Sequence, residues 1–171
     1  MSDVAPVPQV QLQVATEAQQ LPDELRVGEW VHTALLRAKR ATPDDAAITV
    51  RFVDESESEN LNSNFRGINK PTNVLAFPAS IDAHVQVSDE AAELGDLVIC
   101  AQVVAREAAE QDKTADAHYA HMTVHGVLHL LGYDHGDATE AMTMESLEKE
   151  ILAELGYPDP YRDDDRSVTG N

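Results

Sequence analysis

The stretch AHYAHMTVHGVLHLLGYDH, residues 117–135, decides how this chain folds. Residues 117–131 contain no Asp, Glu, Lys or Arg. Met122, Val124, Val127, Leu128, Leu130 and Leu131 fall on most sides of a helix built from them. A helix that is apolar nearly all round is a buried one. The stretch therefore predicts a central helix over about 115–131, with the rest of the chain packed around it. Gly132 suits a left-handed turn that ends this helix and reverses the chain.

Outward from that helix, the apolar pattern changes period. VQLQVAT (10–16) alternates Val10, Leu12 and Val14 with polar residues and predicts a strand. AAITVRFVD (46–54) does the same with Ile48, Val50 and Phe52. TNVLAFP (72–78) is a strand stopped by Pro78, and GDLVICA (95–101) is an apolar strand. Residues 79–93 are expected as a polar loop, with a short strand around His84 to Val87. PDELRVGEWVHTALLRAKR (22–40) predicts a helix with its stripe at Val27, Trp30, Val31, Ala34 and Leu35. Arg37, Lys39 and Arg40 sit at its C-terminal end, where the helix dipole favours cations. Further helices are expected at about 57–67, 102–112 and 138–155. The last has Asp137 and Glu140 at capping-box spacing, a stripe of Met144, Leu147, Ile151 and Leu155, and a stop at Gly156. The fold class is α+β: a small mixed sheet of about four strands, packed with about five helices.

The 171 residues fit one domain, expected at 10–157, between a flexible N-terminus (1–9) and an acidic, disordered tail (158–171). No run approaches the roughly 20 apolar residues of a membrane span, and the N-terminus does not read as a secretory signal. One cysteine, Cys100, excludes an internal disulfide and a cysteine zinc cluster. A cytoplasmic location follows as the expectation. The net charge of −19 argues against tight binding of naked nucleic acid. The charge is uneven, however. Residues 26–77 hold seven basic and seven acidic residues, and Arg51, Arg66 and Lys70 are among the former. This weakens the argument against nucleic acid, and the bulk of the charge reads as a solvated acidic surface.

The central helix has histidines where apolar residues are expected. His125 and His129 are one turn apart on one face, so two imidazoles can converge on one ion. The turn at Gly132 lets His135 supply a third nitrogen. Three imidazoles leave a fourth tetrahedral position open, the pattern of a catalytic zinc site. One Zn2+ per chain is the first choice, though nickel or another divalent ion also suits these ligands. The spacing matches the ligands of the zinc-protease signature H-E-x-x-H-x-x-G-x-x-H. The catalytic glutamate of that signature is replaced by Gly126, which argues against peptide hydrolysis. A base from elsewhere stays open, with His121, Asp134 and Asp96 as candidates. Gly126 itself could leave space beside the metal or serve helix packing. His121, one turn before His125, is a supporting partner, a proton shuttle or a cleft residue. His118 is expected near the helix start and exposed. His32 and His84 are read as structural or solvent-facing.

HMTVHGVLHLLGYDH (121–135) closely resembles the signature of the bacterial YbeY family, zinc-dependent endoribonucleases of rRNA maturation. LNSNFRGINKPTNVLAFP (61–78) and GDLVIC (95–100) resemble the other two characteristic stretches of that family, in the same order and spacing. The resemblance spans about residues 10–157. It implies a metal held by His125, His129 and His135, and a functionally required arginine at Arg66. It implies single-strand cleavage in maturation of the 16S rRNA 3′ end and in ribosome quality control. The implied partners are rRNA within ribosomal particles and ribosomal or assembly proteins, with no membrane and no DNA. Two positions depart from the pattern: Asn69 stands where an aspartate is common, and Ala76 where a serine is common. The competing classes are a zinc peptidase or amidase, and a ribosome-assembly factor with a structural metal.

Overall fold

A computed structural model of the chain describes residues 9–40, 42, 46–79, 93–134 and 136–161. The period-2 segments form four strands: β1 (Gln9–Ala15), β2 (Ala47–Val53), β3 (Val74–Pro78) and β4 (Glu93–Cys100). The period-3.6 segments form five helices: α1 (Glu24–Arg37), α2 (Glu55–Arg66), α3 (Ala101–Glu110), α4 (Ala115–Leu130) and α5 (Ala138–Leu155). The sheet order is β1-β2-β4-β3. β1 and β2 are parallel, as are β2 and β4, while β3 runs antiparallel along β4. The mixed α+β sheet expected from the sequence is therefore present. The strand anticipated around His84 lies outside the described residues.

Local chemistry sets the boundaries. Asp23 caps α1 by accepting from the Arg26 N–H at 2.9 Å. Thr114 caps α4 through the Ala117 N–H at 3.0 Å, and Asp137 caps α5 through the Glu140 N–H at 2.8 Å. Gly67 and Gly156 close α2 and α5 in the left-handed conformation.

The alternation along the strands then divides two apolar layers. Val50, Phe52, Leu97 and Ile99 face α1, α4 and α5 in the main core, with Trp30, Val127, Leu128, Met144 and Ile151. Val53, Leu75, Val98 and Cys100 point to the other face, where Val103, Leu61 and Phe77 cover them. α4 packs against α1, α3, α5, β3 and β4, so the helix that is charge-free beyond Asp116 is central as predicted. Its approach to β4 explains one residue. A Cβ on Gly126 would lie 2.7 Å from Leu97 Cδ2, inside a side chain that is itself fully buried. A side chain at 126 would have to displace the Leu97 side chain, so this glycine serves the packing of α4 on β4.

Candidate metal centre and its cleft

The helical repeat places His125 and His129 on the cleft side of α4, with ring centroids 4.6 Å apart. Their Nε2 atoms are 3.2 Å apart. Two nitrogens bound tetrahedrally to one zinc ion at the usual Zn–N distance stand about 3.3 Å apart, so the pair has the separation that a shared ion needs. The His125 ring is fixed from behind. Its Nδ1 is 2.6 Å from Glu148 Oε2, and Glu148 Oε1 is 2.9 Å from His121 Nε2. The Tyr161 hydroxyl also donates to Oε1.

Glu148 comes from α5 and is fully buried. Burial by itself would raise its pKa, but hydrogen bonds from His121 and His125 outweigh that and hold it at about 2. It is therefore a carboxylate, which can only accept. Acceptance assigns the protons: Nδ1–H on His125 and Nε2–H on His121. The Nε2 of a neutral His125 is left with its lone pair toward the cleft, as a ligand nitrogen requires. Burial lowers the His121 pKa, against the opposing pull of Glu148, and favours the neutral ring. Its Nδ1 is buried without a hydrogen-bond partner among the described residues.

His121, His125 and Glu148 offer ligand atoms within 4.8 Å of one another and form a group that could hold a metal ion. Those atoms are already spent on each other in hydrogen bonds. The Nε2 atoms of His125 and His129 stand 3.2 Å apart on residues that line the cleft, so this pair also suits an ion, with Glu148 as the support.

The turn after α4 is pinned. The Gly132 N–H donates to His129 O at 2.9 Å and the Tyr133 N–H to Leu128 O at 3.0 Å. Gly132 has φ +97°, the left-handed geometry expected of it. The Arg40 guanidinium lies 3.9 Å over the Tyr133 ring and donates to Leu131 O at 2.8 Å. The Tyr133 hydroxyl accepts from the Lys39 N–H at 3.1 Å. The end of α1 thus holds the segment that delivers Asp134 to the cleft. His135, the proposed third ligand, lies outside the described residues, as does His84.

The cleft has a volume of about 1200 Å³. His125, His129, Arg66, Asp134, Asp96 and Arg51 line it, together with Phe65 and Phe77. Arg51 is neutralised: it donates to both Glu57 oxygens, at 2.7 and 3.1 Å, and to Gln13. Arg66 ends α2, is exposed, and has no carboxylate within ion-pair distance among the described residues. Asn69 Oδ1 accepts from the Ser63 hydroxyl at 2.7 Å, a task an aspartate would also perform. Ala76 lines the cleft without a hydroxyl.

Of the alternatives open for His121 the structure has the supporting partner, whereas His118 stands elsewhere than expected. His121 does not line the cleft; it sits behind it on Glu148. His118 is not exposed but buried, with Nε2 2.7 Å from Glu107 Oε1. Its helix start is covered by α3, which the local sequence does not reveal. Glu148 was missed altogether. Its signal was present: four residues after Met144 and three before Ile151, it lies on the buried stripe of α5.

A sheet-backed central helix that carries paired imidazoles into an open cleft defines a candidate metal-binding protein, with a group that could hold an ion. The comparisons with known proteins agree. The Endoribonuclease YbeY family profile matches residues 11–156. Proteins named Endoribonuclease YbeY from Pseudomonas syringae pv. syringae and pv. tomato are each 50% identical over 157 residues, covering 92% of this chain and 90% of theirs. The chain belongs to the endoribonuclease YbeY family. The solution structure of TM1509 from Thermotoga maritima has the same fold, with a TM-score of 0.53 at 22% identity, covering 86% of this chain and 91% of that one. Among the described residues, no helix is long and apolar enough to cross a membrane.

Proposed function

We propose that this chain is a zinc-dependent endoribonuclease that cuts single-stranded RNA during maturation of the 16S rRNA 3′ end and in ribosome quality control. It works in the cytoplasm on ribosomal particles, with ribosomal or assembly proteins as partners. One observation carries the reading: an Nε2 pair at 3.2 Å opens on the same cleft as an arginine that has no acidic partner among the described residues. A phosphodiester needs both a ligand cluster for an ion and a second fixed cation.

His125, His129 and His135 would hold the ion. When bound, it supplies Lewis acidity, neutralising charge on phosphoryl oxygens and making water more acidic near neutral pH. Arg66 binds two phosphate oxygens through its planar fork and orients the strand. Glu148 keeps the His125 ring in the ligand tautomer, and His121 keeps Glu148 ionised and in place. Asp134, exposed on the cleft wall, is the acceptor within the site for a proton released there. Gly126 has no side chain to do this work, and its Cα side packs closely on Leu97. The acidic remainder of the chain repels free RNA, so recognition depends on the assembled particle.

The test is Arg66→Ala. The side chain is exposed, so the variant is expected to fold and bind zinc as before. Its kcat on single-stranded RNA should fall by roughly 10²–10³, as for loss of one charge-stabilising donor. Unchanged rRNA processing in cells carrying this variant would favour a structural metal and an assembly role.

A further inference from the structure

Several exposed large apolar side chains are scattered over the described surface, and of these Phe65 alone lines the metal-side cleft. It is 66% exposed, so it contributes little to the core. It is nevertheless held in position. Its ring packs edge-to-face on Phe77, with centroids 4.7 Å apart and planes at 62°. Phe77 sits in β3, opposite Asp96 of β4, and is half-buried against the second apolar layer. A rigid strand therefore braces an aromatic ring that remains open to the cleft. Phe65 directly precedes Arg66 at the end of α2, so the aromatic face arrives together with a cation that has no acidic partner among the described residues.

A held, exposed aromatic ring next to a cation in an open cleft suits one occupant. Unpaired bases stack on aromatic side chains while cations take the flanking phosphates. A paired base offers no such face, because it is stacked inside the duplex. An apolar peptide anchor would use the ring but not Arg66.

We infer that Phe65, braced by Phe77, is a stacking platform for one unpaired base of the RNA strand, set beside the phosphate that Arg66 binds. The platform makes single-strandedness a requirement of the site itself. The inference rests on the ribonuclease reading above and deepens it.

The experiment uses the zinc-loaded full chain and single-stranded oligoribonucleotides in which one abasic nucleotide is moved along the strand. For wild type, one abasic position should raise KM on the order of 10-fold, with kcat little changed. Phe65→Ala should raise KM similarly on the intact strand, and should become insensitive to that abasic position. Phe65→Tyr, which keeps the ring, should restore wild-type KM, whereas Phe65→Leu, which keeps only apolar bulk, should not. Leu rescuing as well as Tyr, or Phe65→Ala leaving KM unchanged, overturns the platform while the ribonuclease reading stands. Unchanged oligonucleotide kinetics with lost cleavage of ribosomal particles would assign Phe65 to a protein contact and also overturn it. Wild type cleaving no RNA would overturn the ribonuclease reading, and the platform with it.

Discussion

The two ends of α4 carry the same chemistry to different effect. At the N-terminal end, His118 pairs with Glu107 of α3 at 2.7 Å. At the C-terminal end, His125 pairs with Glu148 of α5 at 2.6 Å. Both are histidine–carboxylate pairs, and both histidines lie on one helix. The difference is the second ring nitrogen. His118 Nδ1 is buried with no hydrogen-bond partner among the described residues. His125 Nε2 faces the cleft, with His129 Nε2 3.2 Å away. A histidine becomes a candidate ligand because of what its far nitrogen meets, and a carboxylate on the near nitrogen does not decide it.

The carboxylates give the largest contrast. Glu148→Ala leaves two buried N–H donors unpaired, which should cost about 2–4 kcal/mol in urea unfolding. Zinc affinity, followed by competition with a chelating dye, should fall about 10–100-fold. Glu107→Ala should leave zinc affinity unchanged. Equal losses from both would erase the distinction between the two ends.

His118→Ala is the next test. It should cost about 1–3 kcal/mol of stability, through the lost bond and the stranded carboxylate. Its kcat and zinc content should match wild type, since the one hydrogen bond of His118 goes to Glu107, and its ring only touches that of His121 at 5.9 Å between centroids. A fall in kcat at full zinc occupancy would join the two ends into one functional relay.

The smallest effect is in pH. Burial acts to raise the Glu107 pKa, but bonds from His118 and Asn73 outweigh it and hold the group below the usual carboxylate range. A folded value below the unfolded one contributes stability above the unfolded pKa, and this is lost as pH falls through the folded value. Stability of Glu107→Gln should therefore decline less steeply than wild type below about pH 4.5. An identical acid limb would show that the pair contributes nothing measurable.

Much of this was legible in the sequence. The strands announced themselves because Ile48, Val50 and Phe52 alternate, and the central helix because it lacks charge. His125 and His129 were legible because four residues is one helical turn, and Gly132 because few other residues turn a chain so sharply. Glu148 was not, because it stands in an acidic helix among Glu145, Glu150 and Glu154 and resembles a solvated residue. Only the packing of α5 on α4 turns it inward. The same holds for His118, whose burial depends on α3, and for Gly126, whose reason is a Leu97 side chain from a strand 29 residues earlier. Local pattern reveals what one element needs, whereas the support of a site lies in contacts between elements.

The most direct measurement is cleavage of single-stranded RNA and of peptides by zinc-loaded wild type and His129→Ala, with zinc content read in the same samples. The account predicts RNA cleavage by wild type, loss of bound zinc in the variant, and activity lower by about 10³ or more, with no peptide turnover by either. Peptide turnover that depends on His129, with the RNA intact throughout, would contradict it.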